Sequence, residues 1–507
     1  MSTPAKKLLL IEPPFYRLYK NTFALVKYPL GLGYLAAVAL RDTDWAVQAY
    51  NADFNPDNEA ISLAHMAGAG YESYIASLRD PSSQPLWAEV DAAIRDFAPG
   101  VVGISAKTQN FASVRIVARM VKQWRPDVPV VVGGPHASMA RGQLLDCPDI
   151  DVVAVGEGEQ TLVELLKAYE TDGDVSRVAG IVHRGEGGRP VHTPPRTNLP
   201  ELDTLPFPHS SAPAALKDFD KYPPGAFRFV FATRGCPYGC EFCGSRNIWS
   251  RKVRYRSAAN VIAELKALRA LGVGHVHFDD DTFGIKRAHI KDLCDGIAAE
   301  LPGLTWSCET TVNIVDAETV GWMKRAGCTL IQIGVESGND EMLRRIHKNI
   351  TIGQACEAAR LISEAGITVQ TFFMAGFPEE TEATLADTRQ AIRTIRSDEI
   401  LFSIFTPYPA TDTFAFLKDR GFVDDGYDVA LYNHQSPENC FTIHIPKDRF
   451  RLLMRDMLAE VDALNRAKRR RLVWRQRVRG VADEFRTRGL RAAAARLGRF
   501  ARKLVRC

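Results

Sequence analysis

The feature that most constrains this chain is a pair of blocks in which short apolar runs alternate with amphipathic segments. Runs that short, bounded by glycine, proline and small polar residues, read as buried strands, and the segments between them read as crossover helices of a parallel sheet. In the first block, residues 1–190, the runs are Leu8–Glu12, Ala46–Tyr50, Val101–Ser105, Val128–Gly133 and Val152–Gly156. Helical spacing occurs at Leu32–Leu40, Leu86–Phe97, Ser113–Trp124 and Thr161–Tyr169. Five strands with helices between them define a doubly wound, Rossmann-like α/β domain, whose ligands bind beyond the carboxyl ends of the strands.

Residues 191–222, rich in Pro, Thr, Ser and Ala, read as a linker. The second block, residues 223–426, carries strands at Phe227–Thr233, His275–Asp279, Leu304–Glu309, Leu330–Val335, Thr368–Met374 and Ile400–Phe405, with helices such as Ala258–Leu271 and Ile352–Ala365 between them. Six βα units fall short of the eight of a closed barrel. Residues 427–507 read as a helical C-terminal region, with Phe450–Ala467 amphipathic.

The net charge of +4 conceals an asymmetry. Residues 466–507 hold sixteen Lys or Arg against two acidic residues, so this tail carries +14 and the rest of the chain −10. Within it Leu490, Ala493, Leu497, Phe500 and Leu504 fall on one helical face, a basic amphipathic pattern suited to an anionic lipid surface or a docking partner. No aromatic stacking platform or recognised module accompanies the charge, which argues against nucleic acid. The N-terminus shows no signal-peptide core, and no apolar run reaches the roughly 18 residues of a membrane span. Of ten cysteines, seven are scattered without a disulfide framework, as in a reducing compartment, so a cytoplasmic protein is expected. Most of the seven read as buried small hydrophobes, and Cys308, at a strand end, is the single candidate among them for facing a site.

The other three, Cys236, Cys240 and Cys243, stand in Arg-Gly-Cys-Pro-Tyr-Gly-Cys-Glu-Phe-Cys. Three thiolates leave one iron of a 4Fe-4S cluster open. A structural zinc site usually takes a second cysteine pair downstream, and none follows. The motif, with Phe242 just before the last cysteine, resembles the radical S-adenosylmethionine (SAM) superfamily. That resemblance implies a partial (β/α)6 barrel and a 4Fe-4S cluster on the three cysteines. It further implies SAM chelated to the open iron and cleaved by one electron to methionine and a 5′-deoxyadenosyl radical.

The upstream loops extend the resemblance. Gly133-Gly134-Pro135-His136 follows the fourth strand and Gly156-Glu157-Gly158-Glu159 the fifth, where glycines admit close approach of a large flat or phosphate-bearing ligand. Ahead of a radical SAM motif they look like a cobalamin-binding domain, and Ser105 then sits where that family contacts the nucleotide tail. The loop Asp53-Phe54-Asn55-Pro56-Asp57-Asn58 lacks the histidine of the Asp-x-His-x-x-Gly pattern, so no cobalt ligand is expected from it. His136 reads as a turn histidine satisfied by hydrogen bonds.

Asp279-Asp280-Asp281-Thr282-Phe283 resembles the Asp-Asp-x-Phe signature of the cobalamin-linked subgroup. SAM presents an ammonium, a carboxylate, a ribose diol and an adenine. Glu336 and Glu309 are candidates for the ammonium or ribose, Asp280 is a third acidic candidate, and backbone near Phe242 and Phe377 would meet the adenine. Strand-end ion pairs are the alternative for each acid. Ala410-Thr411 after Pro409 departs from the family's Pro-Gly-Thr turn.

The resemblance implies a cobalamin-dependent radical SAM enzyme, foremost a C-methyltransferase. One SAM methylates cob(I)alamin, a second yields the radical that takes a substrate hydrogen, and the carbon radical takes the methyl from methylcobalamin. A non-methylating cyclase or oxidase, like the anaerobic cyclase of chlorophyll biosynthesis, is the alternative. A cluster-bearing binding or sensing protein without turnover is a reading from another class. The expected partners are a small-molecule substrate, hydrophobic if the tail binds lipid, and an electron donor such as a flavodoxin or ferredoxin. Peripheral contact with a membrane would go through the basic tail.

Overall fold

The computed structural model describes residues 6–470 apart from 172, 425, 429, 430, 433, 435, 437 and 438. The basic amphipathic pattern at 490–504 lies outside the described residues.

The first block folds around strands β1 (Lys7–Glu12), β2 (Ala46–Asn51), β3 (Val101–Ser105), β4 (Val130–Gly133), β5 (Val152–Ala154), β6 (Ile181–Arg184) and β7 (Pro190–His192). Their order is β2-β1-β3-β4-β5-β6-β7. The first five pair in parallel, with Leu8 of β1 level with Val47 of β2 and Val101 of β3. Leu8, Leu9, Leu10 and Ile11 are all buried, because helices cover both faces of a parallel sheet. Leu30–Asp42 and Glu159–Glu170 pack on one face and Pro85–Phe97 and Phe111–Trp124 on the other. The order reverses between β1 and β3, which places the binding crevice beyond their carboxyl ends.

β6 and β7 join antiparallel at the edge, an addition the apolar pattern does not reveal. All three residues of β7 are exposed, so it carries no buried periodicity to read. β4 starts at Val130 rather than Val128, after Pro129, which has no N–H to give a ladder. β5 stops before Gly156, whose φ of 80° leaves the extended region.

The second block supplies β8 (Phe229–Val230), β9 (Thr233–Arg234), β10 (Arg254–Tyr255), β11 (His275–Phe278), β12 (Thr305–Thr310), β13 (Cys328–Glu336), β14 (Thr368–Ala375) and β15 (Glu399–Ile404). Six of them form a parallel sheet in the order β15-β14-β13-β12-β11-β8, the wall of a partial barrel. The first strand is shorter than the Phe227–Thr233 the sequence implies. Phe227 closes a 3-10 turn, and β9 leaves the sheet to pair antiparallel with β10. Helix starts follow their caps: Ser257 accepts from the Asn260 N–H, and Thr351 with Gln354 forms a capping box. The open edge at β15 is covered by the helix over residues 447–470. Asn465 accepts from Ile400 N at 2.9 Å and donates to Ile400 O at 2.8 Å, which removes part of a template for stray pairing. One apolar cluster runs from Leu32 and Leu162 of the first block to Val230, Phe278 and Phe373 of the second, so the two sheets share a continuous core.

Candidate active site

The loop carrying Cys236, Cys240 and Cys243 leaves β9 through Gly235. Its φ is 105°, and a Cβ there would stand 2.7 Å from Lys252 O, so only glycine admits the turn. Cys236 and Cys240 are half-buried and Cys243 is exposed. Cys236 Sγ lies 3.4 Å from Thr282 Oγ1, and Cys243 N donates to Cys240 O at 3.2 Å. Between the last two cysteines the Phe242 ring packs on Phe377 with centroids 5.5 Å apart, and Phe377 packs on Phe405 at 5.4 Å. Phe377 follows Gly376, whose N–H donates to the buried Glu380 carboxyl.

Carboxylates crowd the carboxyl ends of the barrel strands. Asp280 accepts from Ala232 N and from Thr233 Oγ1, each at 2.8 Å, and burial pushes its carboxyl up to about 7. It ties the end of β11 to the start of the cysteine loop, so both of its oxygens are committed to the protein. Glu336 has a φ of 68°, a costly conformation for a side chain with a Cβ, and pairs with Lys348 Nζ at 2.7 Å. Burial opposes the Lys348 charge, but Glu336 and Cys240 outweigh it and hold its ammonium above the usual value. Glu309 is pushed up to about 7, mostly by burial, with Asp279 adding and Lys27 opposing. Lys27 reaches across from the first block to Asp279 at 2.8 Å and stands over the Phe229 ring at 3.9 Å.

A cavity of about 470 Å³ lies between the two sheets. Ser105, Gly133, Gly134, Gly156, Glu157 and Gly158 border it from the first block, and Arg234, Asp279 and Asp281 from the barrel. Gly134 has a φ of 103°, and a Cβ on it would meet Ala106 O at 2.9 Å. A Cβ on Gly133 would touch nothing closer than Ala154 at 3.6 Å, so the floor there is open to a ligand. Asp53 also lines the cavity and accepts from Phe15 N and Arg17 N, and burial raises it to about 6.

The six expected positions of the first block border this one cavity, whereas the three cysteines, Phe242, Phe377, Asp280, Glu309 and Glu336 lie outside its lining, and Asp280 is already engaged with backbone and Thr233 and Glu336 with Lys348. Glu157 borders the cavity while its carboxylate is held by Arg234 and Arg254. Cys308 does not face the site. It is fully buried on the helix side of β12, near Cys328 and Cys294, because alternation along the strand puts it on the face opposite Glu309. His136 is buried, with Nδ1 at 3.2 Å from Thr108 Oγ1 and its N–H on Ala106 O, and it stays out of the cavity wall. Sequence reasoning missed Lys27, Lys348 and Glu380. No motif marks them, although Glu380 does fall four residues after the glycine it holds.

A glycine-floored crevice borders the barrel mouth at Arg234, two residues before the first of the three cysteines. A family model described as the Radical SAM superfamily matches residues 230–392, and one described as the B12 binding domain matches residues 16–166. The chain is 29% identical over 409 residues to an uncharacterized methyltransferase of Pyrococcus horikoshii, covering 80% of this chain and 82% of that protein. It is 28% identical to the anaerobic magnesium-protoporphyrin IX monomethyl ester cyclase of Rubrivivax gelatinosus, covering 69% of this chain and 63% of that one. The fold is similar to that of TsrM, a radical S-adenosylmethionine methyltransferase from Kitasatospora setae solved with cobalamin and a [4Fe-4S] cluster. The TM-score is 0.63 at 19% identity, over 82% of this chain and 78% of that one. The chain thus carries a radical SAM domain at residues 230–392 and, ahead of it, a B12 binding domain at residues 16–166.

The residues fit the cofactors these domains use. Among the described residues no three His, Cys, Asp or Glu side chains converge on a single ion. A four-iron cluster does not require that, since each thiolate takes its own iron. Burial raises the Cys240 thiol and Lys348 opposes it, so iron would displace a proton there with a cation already in place. The open floor over Gly133 and Gly31, where a Cβ on Gly31 would meet nothing within 4 Å, fits a broad flat group such as a corrin.

Proposed function

We propose that this enzyme transfers a methyl group to an unactivated carbon of a small molecule bound between the two sheets. The observation that carries the reading is the shared cavity: the glycine loops of the B12 binding domain and the Arg234, Asp279 and Asp281 side of the barrel mouth border the same space. When bound, SAM on the cluster supplies a 5′-deoxyadenosyl radical and cobalamin supplies the methyl group. The chain's own part is to position and to shield. Phe242, Phe377 and Phe405 form an apolar wall beside the cysteine loop, and the apolar cluster behind the cavity keeps bulk water from a reactive species. Lys27 and Asp279 join the two blocks across the cavity edge. Glu309, whose carboxyl burial pushes up to about 7, offers a proton donor or acceptor to a polar substrate group.

The similarity to the protoporphyrin ester cyclase favours one second reading, a non-methylating radical oxidation or cyclisation. The electron for the cluster would come from a small redox protein such as a flavodoxin or ferredoxin. Peripheral membrane contact would involve the basic tail, residues 466–507. No helix among the described residues is long and apolar enough to cross a membrane.

Product mass separates the readings. Incubation of the reconstituted enzyme with SAM, reductant and candidate substrates should give a product heavier by one CH2, with 5′-deoxyadenosine formed alongside. A product lighter by hydrogens, with no methyl gained, would replace methyl transfer by the second reading. Cys240→Ala should abolish 5′-deoxyadenosine formation, and turnover by that variant would remove the radical SAM assignment of these cysteines.

A further inference from the structure

A buried four-residue ionic network spans the boundary between the two sheets, directly between the cavity and the cysteine loop. Arg234 ends β9, two residues before Cys236, and Arg254 lies opposite it on β10. Glu157 and Glu159 come from the loop and helix start after β5. Arg234 Nη1 donates to Glu157 Oε1 at 2.8 Å and Nη2 to Glu159 Oε1 at 2.7 Å. Arg254 Nη1 donates to both Glu157 oxygens at 2.9 and 2.8 Å and to Leu199 O at 2.7 Å. The four side chains are between 3% and 7% exposed. The Arg234 guanidinium also lies 5.1 Å from the Tyr34 ring and 5.1 Å from the Trp249 ring.

Buried ion pairs contribute little net stability over apolar packing, because two charges must be desolvated. Their use here is geometric. A planar guanidinium forked between two carboxylates, with rings nearby, fixes position in a way a flexible ammonium does not. Arg234, Glu157, Gly158 and Glu159 all border the cavity, so a corrin seated there lies against the network. On the other side only Gly235, held close to Lys252 O, separates Arg234 from the first cluster cysteine. We infer that Arg234 is a positioning residue that sets the separation of the cobalamin site from the cluster and couples occupancy of the one to the geometry of the other. The inference rests on both cofactors binding as proposed above.

The test uses the full chain, reconstituted anaerobically with iron and sulfide and titrated with hydroxocobalamin. Arg234→Lys keeps the charge and loses the fork. It should retain the wild-type iron content yet bind hydroxocobalamin about tenfold more weakly, the worth of one charge-assisted hydrogen bond. The magnetic interaction between cob(II)alamin and the reduced cluster should be sharp in the wild type and heterogeneous in Arg234→Lys. Glu159→Gln, which leaves the Arg234–Glu157 pair in place, should shift both readouts in the same direction by about threefold in affinity. If Arg234→Lys fails to fold, Glu159→Gln decides by the same two readouts. Variants that lower the melting temperature while affinity and spin interaction stay at wild-type values would overturn the inference. A wild-type chain that takes up no hydroxocobalamin would instead overturn the functional reading, and this inference with it.

Discussion

Lys348 Nζ stands 2.7 Å from Glu336 Oε1, and its ammonium is close enough to Cys240 to lower the cost of a thiolate there. Glu336 is therefore the near half of a buried pair beside the cluster loop rather than a free carboxylate awaiting a ligand. Removing the cation leaves the site more negative, and the potential of an iron–sulfur cluster follows the charge around it. Lys348→Met should make the reconstituted cluster harder to reduce, with a more negative midpoint in a redox titration, while Lys348→Arg stays close to wild type. An unchanged midpoint in Lys348→Met would show that the pair has no electrostatic influence on the cluster.

Asp280 is expected to act through structure. Asn at this position turns one acceptor into a donor facing either Ala232 N–H or the Thr233 hydroxyl. Asp280→Asn should cost about 1–3 kcal/mol in denaturant unfolding, the price of an unsatisfied buried group, with SAM affinity in the surviving fold unaltered. Loss of SAM binding at unchanged stability would return Asp280 to the ligand.

Phe377 is fully buried and links Phe242 of the cluster loop to Phe405 of the barrel wall. Phe377→Ala should destabilise the protein by about 3–5 kcal/mol and shorten the lifetime of the cluster in air, while Phe377→Leu keeps most of the packing. The decay of cluster absorbance after exposure to oxygen reads this directly.

Glu380 gives a pH signature. Burial pushes its carboxyl up to about 8, although the Gly376 and Phe377 N–H groups oppose that rise. The folded state therefore holds a proton that the unfolded state releases near the ordinary glutamate value. This contribution to stability is complete at low pH, declines as pH rises through the interval up to about 8, and is gone above it. The difference in unfolding midpoint between wild type and Glu380→Gln should move in favour of the variant between about pH 5 and about pH 8 and then level off. A difference that stays constant over that range would mean the carboxyl is ionised throughout.

The sequence made legible what depends on one residue type at one place. Cysteines at fixed spacing, glycines after strand ends and apolar runs all express local requirements, so the cluster loop, the glycine floor and both sheets could be read in advance. The partners of those residues could not. Lys27 meets Asp279 across 252 positions and Arg234 meets Glu157 across 77, and no local pattern encodes such pairings. Cys308 is buried as a small apolar residue would be, and its parity relative to Glu309 excludes the site-facing alternative that a strand-end position offers. The edge strand β7 escaped because an exposed strand has no buried alternation to display.

The central claim is that cobalamin and the cluster serve one cavity in one chain. The most direct measurement is the metal content and visible spectrum of the full-length protein after anaerobic reconstitution with iron, sulfide and hydroxocobalamin. The account predicts about four irons and about one cobalt per chain, with both chromophores retained through gel filtration. Iron at that level without cobalt would contradict it, leaving the N-terminal domain a scaffold and the methyl-transfer reading without its donor.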